Sequence, residues 1–472
     1  MINRTLIRLK VVQMLYAHLI SRTEFNIPLA PLRDTKDAIN SFGIYTDAIT
    51  ALMLITGQRC AMDKYPSLQG ECLVDTIERD SALMHELGRD ANTKQLIGLC
   101  AINPKEMLEL VKECKKEIRI STILADYKKK RNKTPDDEIR LWTTLTETVV
   151  IPLLKELYQA VGKDASEYAF GKGSEETVAT IRNYGQQRIS FIEARNELIA
   201  ALQKAYKLYI ALIALAVELV REKEQLIDNA KNKYLPTAHD LNPNTRFINN
   251  SLIAKLSAKP EIADFIEKNP FYWDEAPQFL RQMLDLITSS HIYREYVESD
   301  NLSYKTDCEF WIKTFEEIVI PSDLLAEAME SKDIYWNDDL NIVGQFVVKT
   351  FKASLWNDDN PEIMPMFRDE DDREFATKLF RYAAENYHLY RQYIDKMVTE
   401  KWDPDRLAFM DVVIMVTAIA ELINFPIIPM PVTMNEYTDI AGDYSSPKSS
   451  QFVNGMLFAI AQQLKKEGKI MK

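Results

Sequence analysis

Glycine is scarce, with 13 residues in a chain of 472, well below the roughly 7% of an average protein. Glycine supplies tight turns, left-handed backbone and phosphate-wrapping loops, and it weakens helices. Its rarity argues against a nucleotide-binding α/β enzyme and for a helical chain. The five cysteines, Cys60, Cys72, Cys100, Cys114 and Cys308, are odd in number and form no CxxC pair. Neither a disulfide framework nor a zinc site is expected, and a reducing compartment is the simpler inference. The five histidines are scattered and none stands in HExxH, so no metal or other cofactor is expected. A membrane segment is lacking too. Met1 to Ile20 is apolar-rich but interrupted by Arg4, Arg8 and Lys10, and it has no small-residue cleavage site, so neither a signal peptide nor a span is expected. Tyr209 to Val220 is strongly apolar with charges close on both sides, which reads as a buried core helix.

A basic surplus is also missing. The chain has 58 Lys and Arg against 70 Asp and Glu, a net charge of −12. An acidic protein binds nucleic acid only through a concentrated patch, because the local field matters more than the total. Two segments qualify. From Met1 to Thr23 the charged side chains are Arg4, Arg8, Lys10 and Arg22. From Tyr444 to Lys472 there are Lys448, Lys465, Lys466, Lys469 and Lys472 against the single acid Glu467. Helix ends often carry such charges, so charge alone favours a solvated helix end over an RNA site. The run from Lys128 to Lys133 reads the same way.

What is present is helical periodicity almost throughout, in a chain of ordinary globular composition (46% hydrophobic, 27% charged). Ile2 to Ile20 reads as one largely buried helix with Arg4 and Arg8 a turn apart on one face. Pro28 and Pro31 mark a loop. Residues 30–195 form a separate helical block, with helices near 36–57, 74–88, 104–127, 136–161 and 174–195. Its breakers are Pro66, Gly70, Pro104, Pro135, Gly162 and Gly171. Residues 196–370 are again helical, with a long segment from Arg195 to about Lys233 and an acidic, proline-bearing linker from Asn357 to Asp372. The last block, 371–472, is the most legible. A helix runs from Glu374 to about Thr399. Asp403 as N-cap and Pro404 at the first helical position open another, reaching about Phe425. Pro426, Pro429 and Pro431 form a stiff connector, Thr433 and Glu436 a capping box, and Ser446 and Pro447 a final start. Inside the last helix stand Asn454 and Gly455, and glycine alone costs about 1 kcal/mol relative to alanine there. That implies tight packing at Gly455 with Asn454 bonding a neighbouring loop, or a role in binding.

The residues resemble a known family. The run PVTMNEYTDIAGDYSSPKSSQFVNGMLFAI is similar to the signature of NusB, in which a V-x-x-N-E helix is followed by a short loop and a K-F-[VI]-N-G-[VL]-L helix. Upstream, WDPDRLAFMDVVIMVTAIAELINFPIIP resembles the preceding NusB helix and its proline connector. RLKVVQMLYA resembles the first NusB helix, with Val11 in place of an alanine. The stretches AKNKYLPTAHDLNPNTRFINN and YWNDD resemble the enlarged NusB proteins of the Bacteroidetes type. The resemblance covers about the first 25 residues and 196–472, leaving residues 30–195 as an insertion.

The resemblance implies an all-α fold, a NusB-like helical bundle with a large helical insertion after the first helix. It implies a non-enzymatic, cytoplasmic transcription antitermination factor that binds the boxA RNA of ribosomal RNA leaders. Its partners would be NusE, also a small-subunit ribosomal protein, with RNA polymerase and other Nus factors. Carried over by position, the RNA-binding residues are Arg4, Arg8, Gln13, Tyr16, Phe452 and Asn454, with Lys448 and Gln451 beside them. Asp411 matches an acidic position that faces NusE. The chemistry suits single-stranded RNA, since cations hold phosphates and aromatics stack unpaired bases. For Tyr16 and Phe452 the competing reading is a core aromatic. The chain departs from the family at Thr5 and Leu6, which replace basic residues, and at Gln451, which replaces a lysine. Two other readings compete. An RNA cytosine methyltransferase would need a glycine-rich cofactor loop, which the glycine count disfavours. A helical protein-interaction scaffold with weak or no RNA binding fits the net acidity.

Overall fold

Helices make up nearly everything in the computed structural model, which describes residues 2–22, 24–68, 81–270, 272–273, 278–333, 336–357, 360–398, 407–446 and 448–471. The fold is all-α. Among the described residues the sole β-type pairing is an isolated bridge between Ile2 and Phe367. Gly70, Cys72, Pro404 and Pro447, the start expected at Asp403, and the front of the helix expected at 74–88 lie outside the described residues.

Helix α1 (Arg4–Ser21) buries Leu6, Ile7, Leu9, Val11, Val12 and Leu15 almost completely. Burial on nearly every face explains its weak amphipathicity. The Asn3 side chain caps it, accepting from the Leu6 backbone N–H at 2.9 Å.

The chain divides into two compact units, His18–Ala194 and Met1–Ala17 with Arg195–Lys472. The first holds α2 (Lys36–Ile55), α3 (Pro104–Ile120), α4 (Pro135–Leu145) and α5 (Ile151–Ala160). Their starts follow local chemistry. Asn103 with Glu106 and Thr134 with Asp137 form capping boxes, each followed by proline at the first position. The helix expected at 104–127 breaks at Ser121, which caps a new helix, Thr122–Lys129. The helix expected at 136–161 is continuous but wider over Thr146–Val150, where it forms a π turn. Pro152, which has no N–H and would clash with a regular preceding turn, follows directly. Gly162, at φ 69°, ends α5 in the left-handed conformation that favours glycine. The core includes Tyr45, Leu52, Trp142, Leu145 and Leu154.

Gly171 does not break the chain. The helices expected at 174–195 and from Arg195 onward are one helix, α6 (Glu167–Lys231), 65 residues long. No proline occurs in it, and a glycine penalty of about 1 kcal/mol is too small to end a helix with a well-buried apolar face. Two of its glycines are packing sites. A Cβ at Gly173 would meet Ile44 of α2, and one at Gly185 would overlap Ile139 of α4. Tyr209, Leu212, Ile213, Leu215 and Leu219 are fully buried, as a core helix requires. By length and composition α2 and α6 would suffice to cross a membrane, but their apolar stretches are mostly buried within the protein.

In the second unit, short helices between 238 and 332 lead to α7 (Trp336–Ser354). The end of the acidic stretch 357–372 is itself a helix start. Asp369 caps α8 (Glu370–Glu385), whose first turn carries Glu370, Asp371 and Asp372, the charge that a helix N-terminus favours. The helix expected at 374–399 breaks at Asn386, and α9 (Tyr387–Met397) follows. Helix α10 (Phe409–Asn424) is buried from Asp411 to Leu422 and packs against α8, α9, α11 (Met430–Tyr444) and α12 (Ser449–Lys466).

Candidate nucleic-acid interface

The capping box expected at Thr433 and Glu436 is not formed. Helix α11 starts earlier, with Pro429 at the N-cap and Pro431 in the first turn, since proline suits that turn without an N–H. Thr433 and Glu436 fall inside the helix, facing α1. There the Arg8 guanidinium grips Glu421 of α10 through two bonds of 2.8 and 2.9 Å. Thr433 and Tyr437 of α11 donate to the same carboxylate at 2.7 and 3.1 Å. Glu436 stands 3.5 Å from Arg8. The Arg8 side chain is 3% exposed and that of Glu421 fully buried. Burial opposes the Arg8 charge, but the bond and proximity of Glu421 outweigh it and hold the guanidinium pKa above its ordinary value. Burial, then the Glu421 charge, pushes the Tyr437 phenol far up. Arg8 thus faces inward and ties α1, α10 and α11 together.

Arg4 lies one turn earlier. Its guanidinium bonds Asp372 of α8 at 3.0 Å, stacks 5.0 Å from the Phe375 ring and remains about a third exposed. Arg4 and Arg8 border a shallow groove with Ile427 and Val432 on its other wall. Lys10 points elsewhere and is buried, paired with Asp339 of α7 at 2.7 Å. Burial raises the Asp339 carboxyl pKa more than Lys10 lowers it.

Tyr16 and Gln13 occupy the far half of α1. Gln13 donates to Asp338 at 3.2 Å, and the half-buried Tyr16 packs 5.3 Å from Phe409 at the start of α10. Two residues on, buried Asp411 accepts a bond of 3.0 Å from Ser449, the first residue of α12. Ser445 and Ser446 bond the same Ser449 hydroxyl at 3.0 and 2.8 Å. Asp411 therefore fastens the entry of α12 from beneath. Lys448, Gln451 and Asn454 are exposed there, and Phe452 is half-buried.

Gly455 is exposed, and a Cβ built on it meets nothing within 4 Å. This overturns tight packing as the reason for Gly455. The close approach between α11 and α12 is made by Gly442, whose Cβ would come within 2.6 Å of the Ser450 hydroxyl. At 1.5 Å per residue, Arg4 and Tyr16 lie about 18 Å apart along α1. Arg4 and Arg8 thus stand beside α8 and α11, and Tyr16 stands beside the start of α10. Sequence reasoning missed Glu421, whose helix-interior position carries no local signal, and read Thr433 as a cap rather than as a donor to that carboxylate. Among the described residues no group of three or more His, Cys, Asp or Glu is placed to hold a metal.

Helices α8 to α12, with α1 tied to them through Arg8, form an all-α helical bundle. The profile of the NusB family matches residues 341–462. The chain is also similar to the transcription antitermination protein NusB of Koribacter versatilis, 40% identical over 101 residues, which are 21% of this chain and 68% of that protein. The same-named protein of Salinibacter ruber is 32% identical over 133 residues, 27% of this chain and 82% of that one. The chain belongs to the NusB family. The profile match begins inside α7, ahead of the acidic stretch. No solved structure matches the chain significantly.

Proposed function

We propose that this chain is a non-enzymatic, cytoplasmic transcription antitermination factor that binds boxA-type RNA of ribosomal RNA leaders. It would do so with NusE, acting on RNA polymerase with other Nus factors. The observation that carries this reading is the family match across 341–462, which includes Lys448, Gln451, Phe452 and Asn454. Arg4, Lys448, Gln451 and Asn454 reach solvent, where cations hold phosphates and amides read base edges. Tyr16 and Phe452 are half-buried, and in this reading their rings stack unpaired bases. Arg8 contributes by fixing α1 against α10 and α11, which sets where Arg4 and Tyr16 stand. Asp411 contributes to NusE docking by shaping the entry of α12. One observation favours the scaffold alternative: Arg8 and Lys10 are both engaged internally, by Glu421 and Asp339.

Fluorescence anisotropy with boxA RNA, with and without NusE, tests the proposal. The double variant Arg4→Ala, Lys448→Ala should bind more weakly, with the salt slope reduced by about 0.7 for each phosphate that the variant no longer neutralises. Unchanged affinity and slope would refute the site. No binding by the unaltered chain in either condition would favour the scaffold.

A further inference from the structure

The solvent side of α12 continues well past the family motif. At 100° per residue, Gln451, Gly455, Phe458 and Gln462 share one stripe, and all are exposed. Phe458 is 53% exposed, in a helix that buries Val453, Leu457, Ile460 and Leu464 completely and Phe452 and Met456 in part. One turn before it, Gly455 leaves the helix backbone bare, with no protein atom near enough to explain the missing side chain. From Ser449 to Lys466 there is no acidic residue, although the chain as a whole carries a charge of −12. Exposed Lys465 and Lys466 close the stripe at its far end. The adjacent α11 exposes Asp439 and Asp443, which repel phosphate and confine a polyanion to α12 itself.

From this juxtaposition we infer that α12 is a second stretch of RNA-binding surface. Phe458 stacks an unpaired base whose edge lies over the bare backbone at Gly455, and Lys465 and Lys466 hold the phosphates beyond it. The occupant is single-stranded RNA rather than a protein helix, because the stripe combines amides, cations and one flat ring and lacks a second large apolar anchor. This inference rests on the proposed RNA-binding function and lengthens its site.

The test uses the full chain and boxA-type RNA extended by several unpaired nucleotides on either side. Phe458→Ala should weaken binding about tenfold without changing the salt slope, since stacking releases no counterions. Phe458→Trp should restore affinity, and Phe458→Leu should not. Lys465→Ala with Lys466→Ala should lower the slope. Full affinity in Phe458→Ala, with Arg4→Ala and Lys448→Ala still defective, would overturn the inference and leave the first site standing. If Phe458→Leu binds as well as the unaltered chain, the ring is an apolar protein contact and the inference fails. No RNA binding by the unaltered chain would remove both readings.

Discussion

Arg8 shows how little a residue's type says about its use. In the sequence it is one of four cations in an N-terminal stretch free of acids, and it resembles a phosphate ligand. In the structure it is bound to Glu421 by two short hydrogen bonds and shielded from water. Its removal should therefore act first on stability. Arg8→Met leaves the buried Glu421 charge uncompensated, which costs about 3–5 kcal/mol. Urea unfolding should show that loss, and the double variant Arg8→Met, Glu421→Gln should recover a large part of it. Equal stabilities for the single and double variants would show that the pair is not coupled. Asp411 follows the same logic: its carboxylate was legible as an acid at a family position, but its partner Ser449 is supplied by another helix.

At the scale of the helix, glycine has opposite meanings at a buried and at an exposed site. Gly185 of α6 lies against Ile139 of α4, with no room for a methyl group. Gly185→Ala forces an overpacking cost of about 1–3 kcal/mol, which exceeds the gain of about 1 kcal/mol in helix propensity. Gly455 of α12 faces open space, so Gly455→Ala should gain most of that propensity and raise the melting temperature. Thermal denaturation of the two variants should move in opposite directions, and shifts of the same sign would contradict this packing. Helix limits were legible where the stop or start is chemical. Pro104, Pro135 and Gly162 act within a few residues of themselves, and each stands at a helix limit. Thr433 with Glu436 carries a capping-box pattern but is overruled, because Pro429 and Pro431 begin the helix first and a buried carboxylate takes the threonine hydroxyl.

For the molecule as a whole, the all-α class and the NusB-family bundle with a large helical insertion account for the chain's composition. We propose that the insertion is dispensable for folding of the bundle. Each unit has its own core: Tyr45, Leu52 and Trp142 in His18–Ala194, and the sheath around α10 in the other. A variant in which residues from about 35 to 190 are replaced by a flexible linker should unfold in a single cooperative transition. It should also keep boxA affinity. Loss of cooperative melting would show that the bundle depends on the insertion.

The amino-acid sequence alone determined the helical class, the buried run from Tyr209 to Val220 and the family motifs, because these depend on composition and on neighbours within a turn or two. Periodicity, caps and scarce glycine are local quantities, and local quantities can be read in order along a chain. Tertiary structure alone decided that Arg8 turns inward, that α6 runs unbroken through Gly171, and that Gly455 and Phe458 look outward together. Each of those outcomes depends on which distant residue fills the adjacent space. Glu421 stands 413 positions from Arg8, and the space beside Gly455 is empty. Burial and ion pairing draw their energy from such non-local neighbours, which no window along the sequence contains.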